Sequence, residues 1–258
     1  MCSRWLGGSR QGIIGSVKKL IIAANWKLYI QDAAEAKKNI ASLKRARGLF
    51  GRADVVVLPA APLISAVAAS AKGSGIVVGA QAVSPFGEGA YTGYISASLL
   101  KEAGATWALV GHSEQRAEML EGISAAGTTL EGVAAQVRAA QEAGLRVLLC
   151  VGERERDPGG AHFTEVARQI TSALVHALKT GTKLAIAYEP VWAIGKSAGE
   201  ACTPADVEEM VIFIRRTLTE LFDRAAAAKI PILYVGSVDE SNARELVAHG
   251  GVSGLLVG

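Results

Sequence analysis

The chain has 258 residues, half of them hydrophobic, a fifth charged and 5% aromatic, and its formal net charge is +3. Such a composition can bury a large core and excludes fibrous, low-complexity and disordered classes. The positive charge is mild and scattered, with no basic cluster interleaved with aromatics, so no nucleic-acid partner is expected.

Two further classes drop out. No apolar run approaches the ~20 residues of a membrane span. Cys2, Cys150 and Cys202 are odd in number and far apart, which argues against a disulfide framework or a zinc site and for a reducing, cytoplasmic setting. The first sixteen residues are too rich in Gly, Ser and charge for a signal peptide. They are expected to form a loose extension ahead of one domain spanning residues 17–258.

From there apolar runs recur in chain order at 20–26 (LIIAANW), 55–60 (VVVLPA), 76–81 (IVVGAQ), 107–112 (WALVGH), 147–152 (VLLCVG), 184–189 (LAIAYE), 231–236 (PILYVG) and 253–258 (SGLLVG). Nearly continuous apolar character marks strands covered on both faces. Helical spacing appears between them, over Asp32–Leu49, Leu63–Ala71, Thr129–Ala143, Phe163–Leu178, Pro204–Ala227 and Glu240–His249. Thr203 ahead of Pro204 reads as an N-cap with proline at the first helical position. Strands alternating with helices predict parallel β-α units. Eight strands in roughly 250 residues predict a single α/β domain, a closed (β/α)8 barrel rather than an open sheet.

A parallel barrel carries its chemistry at the carboxyl ends of its strands. Asn25-Trp26-Lys27 ends the first run, Gly111-His112-Ser113-Glu114 the fourth, Glu189 the sixth, Gly236-Ser237 the seventh and Gly258 the eighth. Singly, each has an ordinary reading: a solvated lysine, a structural histidine, an edge carboxylate, a turn. Together at one end of a barrel they would require several coincidences.

NWK at 25–27, GHSEQR at 111–116, AYEPVWAIG at 187–195 and YVGSV at 234–238 resemble, in order, the motifs of the triosephosphate isomerase family, and SGLLVG resembles its last strand. The resemblance runs from about Lys18 to Gly258. It implies a TIM barrel, a cytoplasmic homodimer, no cofactor and no metal. It also implies interconversion of dihydroxyacetone phosphate and D-glyceraldehyde 3-phosphate, a step of glycolysis and gluconeogenesis.

The resemblance, with the chemistry such a reaction needs, assigns the roles. Glu189 is the base, since burial strengthens a carboxylate as a proton acceptor. His112 is the neutral electrophile, its charge disfavoured at a helix N-terminus. Lys27 supplies positive charge at the developing oxyanion and Asn25 a hydrogen bond. Glu114 orients Lys27, and Trp26 is counted with the substrate-binding residues. Gly195, Gly236, Ser237 and Gly258 are expected to offer backbone N–H groups to a phosphate. Pro190, Val191 and Trp192 read as the hinge of a lid and Ala193-Ile194-Gly195 as its tip, with Ile194 capping the base.

Four departures from the family stand out. The sequence stops at Gly258, where the family continues with a second glycine and a last helix; the expectation is a barrel lacking that helix. The alternative reading is a non-catalytic or weakly active truncated barrel that binds phosphate ligands. Val235 stands where the family usually has glycine, and its bulk is expected to crowd the phosphate loop. Tyr94 and Gln115 replace a glutamate and an arginine that pair across the family's dimer, while the loop Ser84–Gly93 still resembles its interdigitating loop. The loop Ala117–Thr129 is longer than usual, and KSAGEAC (196–202) replaces the lid's shorter trailing hinge.

Overall fold

Each apolar run becomes one strand: β1 (Ile21–Asn25), β2 (Asp54–Leu58), β3 (Ile76–Ala80), β4 (Trp107–Val110), β5 (Arg146–Val151), β6 (Leu184–Tyr188), β7 (Ile232–Val235) and β8 (Gly254–Val257). They pair in parallel, in sequence order, and β8 closes on β1 with Ile21 opposite Gly254 and Ala24 opposite Val257. This computed structural model describes residues 19–51, 53–116, 128–177, 183–196 and 202–258. The expected extension 1–16, most of the long loop after the histidine motif, and residues 197–201 of the lid's trailing end lie outside the described residues.

The strands are apolar throughout because they pack on both sides. Successive side chains point to opposite faces of a strand. One alternate set, including Ile21, Ala23, Val56, Leu109, Leu148, Cys150, Ala187, Leu233 and Leu256, fills the barrel interior. The other set, including Val57, Val78, Val110, Leu149, Ile186 and Tyr188, meets the helices in an outer shell. The inward phase puts Asn25 at the very end of β1 and, carried past the other strand ends, places Gly152, Glu189, Ser237 and Gly258 beside it over the barrel mouth. Trp26 falls in the outward phase and packs with the outer shell.

The helices are α1 (Ala33–Arg45), α2 (Ile64–Ala71), α3 (Ala97–Glu102), α4 (Leu130–Glu142), α5 (Ala161–Leu174), α6 (Pro204–Leu221), α7 (Arg224–Lys229) and α8 (Ala243–His249). Their starts follow the sequence. The Asp32 side chain accepts from Ala34 N and Glu35 N at 2.8 Å, and Thr203 with Asp206 forms a reciprocal capping box at α6. Val207, Met210, Val211, Ile214 and Leu218 then repeat at helical spacing and are buried.

Two helical expectations are corrected. The single helix expected over Pro204–Ala227 breaks at Phe222, which is extended (φ −122°, ψ 165°), and restarts because the Asp223 carboxylate accepts from Ala226 N at 2.8 Å. The helix α3 was not expected; Ser96 caps it by accepting from Leu99 N, in a stretch too short for a visible period.

Candidate active site

The barrel mouth opens into a pocket of about 610 Å³, within the usual range for small-molecule sites. Asn25, Lys27, His112, Glu114, Glu189, Ile194, Gly195, Gly236, Ser237 and Gly258 all line it. The strand-end residues picked out in the sequence therefore converge, with Trp26 the exception. Trp26 is corrected: its indole lies on the outer side of β1, beside Tyr29, Ile30 and Val257, because it is one residue out of phase with Asn25.

Glu189 is fully buried and held at three points. Ser113 Oγ donates to one carboxylate oxygen at 2.6 Å and Ser113 N to the other at 3.0 Å. His112 Nε2 lies 3.4 Å from Oε1. Behind it, Glu189 N donates to Val151 O at 2.8 Å. Gly152 comes so close to Glu189 that a Cβ there would overlap the Glu189 carbonyl. That close approach fixes where the carboxylate emerges, and Gln169 locks Gly152 from both sides, accepting from its N–H at 2.8 Å and donating to its carbonyl at 3.0 Å.

His112 is buried. The turn that delivers it needs the left-handed backbone of Gly111 (φ 73°). Its Nδ1 accepts from Glu114 N at 3.2 Å, which makes Nδ1 an acceptor and leaves the ring proton on Nε2, facing the pocket. The tautomer is set by this one bond inside a three-residue 3₁₀ turn, Ser113–Gln115.

Lys27 reaches the same space from β1. Its φ of 44° is the left-handed conformation of a non-glycine residue among the described residues, a strain worth about 1–3 kcal/mol that surrounding contacts must hold. Lys27 N donates to Asn25 Oδ1 at 3.1 Å, and Gln81 Nε2 donates to the Lys27 carbonyl at 2.9 Å. Because Asn25 Oδ1 is occupied by that N–H, the Asn25 amide nitrogen is left as a donor for the pocket. Lys27 Nζ donates to Glu114 Oε1 at 2.8 Å, and this bond, opposed by partial burial, holds the ammonium above its ordinary pKa.

The glycines complete the pocket, Gly258 beside Lys27 and Asn25 on the neighbouring strand. Gly195 is left-handed (φ 71°) with open space where a side chain would be. A Cβ on Gly236 would overlap the Tyr234 hydroxyl, and one on Gly258 would come 3.1 Å from Lys27 Cε and 3.2 Å from Asn25 O. Ser237 Oγ donates to Ala193 O at 3.1 Å, and Asn242 Nδ2 donates to Ser237 O at 2.9 Å. Val235 ends β7 inside the barrel, 6% exposed, and forms part of the pocket wall.

The segment after Glu189 is anchored by a residue that the sequence reading did not single out. Glu153, at the end of β5, is fully buried. Its Oε1 accepts from Trp192 Nε1 at 2.8 Å and from Tyr188 Oη at 2.9 Å, and its carbonyl accepts from Val191 N at 2.9 Å. Arg156 Nε stands 3.8 Å from the carboxylate. The signal was available: Val151-Gly152-Glu153 is another apolar run ending in Glu, as at Glu189. Ser113 stood at the end of the fourth run but was given no role, since a serine beside a histidine carries no chemistry of its own in the sequence. Ile194 lies at the pocket mouth, 39% exposed, and leaves Glu189 to its Ser113 contacts. Among the described residues, no cluster of three His, Cys, Asp or Glu side chains could hold a metal ion.

The arrangement pairs a dry carboxylate and a neutral imidazole with a fixed cation and a glycine-lined wall. The family model for triosephosphate isomerase matches residues 20–258. Triosephosphate isomerases of Bradyrhizobium diazoefficiens and Moorella thermoacetica are 40% and 39% identical to it. These matches cover 92% and 94% of this chain and 90% and 93% of theirs. The crystal structure of triosephosphate isomerase from Bartonella henselae superposes with a TM-score of 0.78 at 35% identity, over 93% of this chain and 92% of that one. The chain belongs to the triosephosphate isomerase family.

Proposed function

We propose that this pocket interconverts dihydroxyacetone phosphate and D-glyceraldehyde 3-phosphate, with Glu189 as the base. The Glu189 carboxylate leaves Ser113 and takes a proton from the carbon beside the substrate carbonyl. Charge moves to the carbonyl oxygen as an enediolate forms. His112, donating from Nε2, and Lys27 and Asn25 beside it stabilise that oxygen. The protonated Glu189 returns the proton to the adjacent carbon. The hydroxyl proton passes from the oxygen that becomes the new carbonyl to the former carbonyl oxygen, with His112 Nε2 placed between the two oxygens to give one proton and take the other. The two transfers together complete the isomerisation without any external oxidant or reductant. Glu114 positions Lys27.

Backbone N–H groups at Gly195, Gly236, Ser237 and Gly258 receive the phosphate. Pro190 to Gly195 forms the lid that shuts water out, with Glu153 as the anchor of its hinge through Trp192 and Val191. The observation that carries this reading is the convergence of Glu189 and His112, 3.4 Å apart, with Lys27 in the same pocket.

The dimer belongs to the same proposal. Phe86 and Tyr91 stack at 4.2 Å with Tyr94 edge-on to Phe86. This aromatic loop lies beside a groove of about 740 Å³ bounded by Leu28, Pro62, Gln81 and Gln115. A second copy would present its loop to that groove. The domain is read as residues 17–258 and the setting as the cytoplasm; no helix among the described residues is long and apolar enough to cross a membrane.

The test is proton exchange. Incubating glyceraldehyde 3-phosphate with the protein in deuterium oxide should place deuterium on the carbon next to the carbonyl, alongside isomerisation followed by a coupled assay. Isomerisation absent from a folded sample would overturn the reading.

A further inference from the structure

One face of α5 buries Val166, Gln169, Ile170 and Ala173 against the barrel. Gln169 is polar among these aliphatic neighbours and only 3% exposed, and a buried amide is disfavoured unless its hydrogen bonds are made. Gln169 makes both kinds with one residue. Its Oε1 accepts from Gly152 N at 2.8 Å and its Nε2 donates to Gly152 O at 3.0 Å. The same Nε2 donates to Glu165 Oε1 at 3.3 Å, one turn back along the helix, so the amide has a single orientation. The ladder between β5 and β6 ends at Val151 and Tyr188. Gly152 is the first residue beyond it, and Gln169 supplies there the donor and acceptor that a continuing strand would have supplied.

Gly152 in turn bears on the base. A Cβ on it would stand 1.8 Å from the Glu189 carbonyl oxygen and 2.4 Å from the carbonyl carbon. The two backbones are therefore in contact at the point where β6 releases the Glu189 side chain into the pocket. Arg116, three residues after Ser113, reaches the same Gly152 carbonyl at 3.4 Å. One residue is thus gripped by α5 and by the turn that carries His112 and Ser113, while it presses on the residue that carries the carboxylate. The spacings that matter for proton transfer are 2.6 Å from Ser113 Oγ and 3.4 Å from His112 Nε2 to the Glu189 carboxylate, and they are held through Gly152.

We propose that Gln169 is a positioning residue for the proton transfer: through Gly152 it sets where the Glu189 carboxylate stands relative to His112 and to the substrate carbon, without itself lining the pocket. This rests on the isomerase reading above.

The test compares steady-state kinetics and thermal melts of the wild-type protein, Gln169→Met and Val166→Ala. Methionine keeps the length of the side chain and removes both bonds to Gly152. Val166→Ala loosens the packing of the same helix face and leaves those bonds in place. Both variants should melt earlier than wild type. In Gln169→Met, kcat and kcat/KM are expected to fall together by about tenfold or more with KM nearly unchanged, since a misplacement of about 1 Å costs on the order of 100-fold. In Val166→Ala, kcat is expected to stay within about twofold of wild type at a temperature where the protein is folded. A Gln169→Met protein with kcat within about twofold of wild type, or a Val166→Ala protein that loses as much as Gln169→Met, would overturn the assignment and leave the isomerase reading intact. Should Gln169→Met not fold, Gln169→Glu, which keeps the acceptor for Gly152 N–H and loses the donor to its carbonyl, is held to the same criterion. A wild-type protein inactive on the triose would sink the isomerase reading, and this inference with it.

Discussion

At the scale of single residues, the site depends on side chains whose hydrogen bonds leave one orientation open. Lys27 is an example: its ammonium is tied to Glu114 and its backbone is held in a left-handed turn. Lys27→Met should keep the fold yet lower kcat/KM by about a hundredfold or more, the range for losing one donor to a developing oxyanion. Steady-state kinetics beside a thermal melt would separate the two effects.

The buried thiols predict the opposite kind of behaviour. Burial, with Glu189 nearby, pushes the Cys150 thiol well up, and burial with Asp206 nearby pushes the Cys202 thiol up to about 12. Both stay protonated at neutral pH, so neither should be alkylated by iodoacetamide in the folded protein, whereas both should be in denaturant. Peptide mass spectrometry reads this directly.

Asp157 gives a pH dependence. A hydrogen bond from the His162 ring, and N–H groups of Ala161 and His162, hold its carboxyl down at about 2. A depressed carboxyl contributes stability above its ordinary value near 4, and that contribution disappears as pH falls toward about 2. Asp157→Asn should thus be less stable than wild type at pH 7, with the gap closing as pH falls from about 4 to about 2. Urea unfolding at several pH values would show it; a gap constant with pH would contradict it.

At the scale of elements, the placement of Glu189 rests on two neighbouring strand ends that nearly touch. Gly152 is irreplaceable on this account, since the Glu189 backbone occupies the space of any Cβ. Gly152→Ala should cost about 1–3 kcal/mol or more through overpacking and should lower activity further, because the base shifts with the strand. A Gly152→Ala protein with wild-type stability and rate would show that the contact is slack.

This is also the scale at which the sequence ran out. The eight strands and most helices were readable from apolar runs, spacing and caps. The phase of each strand was not, because parallel strands buried on both faces show no polar alternation. Only the polar residues just past the strand ends reveal which side faces in. Asn25 and Glu189 were recognised in that way, and Trp26, one step out of phase, was taken for a pocket residue. Glu153 was missed for a related reason. Its partners, Tyr188 and Trp192, lie 35 and 39 residues away in the chain, and no local pattern announces a carboxylate that meets the segment after Glu189 across two strand ends.

At the scale of the whole molecule, the exposed aromatic loop and the groove beside it set the expected assembly. Leu28, Tyr29, Tyr94 and Ile95 are well exposed in the single chain. Neither Tyr94 nor Gln115 carries charge, so a dimer built through them should hold together as well at about 0.5 M salt as at low salt, screening having little to act on. Sedimentation velocity at both ionic strengths would report this. A monomer under both conditions would remove the dimer from the account.

The barrel's chemistry converges on one carboxylate, and the most direct measurement is the isomerisation rate of Glu189→Gln beside wild type. The amide matches the carboxylate in shape and can still meet Ser113, so the fold should survive while the proton acceptor is gone. The account predicts kcat lower by at least about 10²–10⁴, the usual contribution of a positioned base, with a melting temperature close to wild type. A variant that keeps a wild-type kcat would show that another group takes the proton, and Glu189 would lose its role.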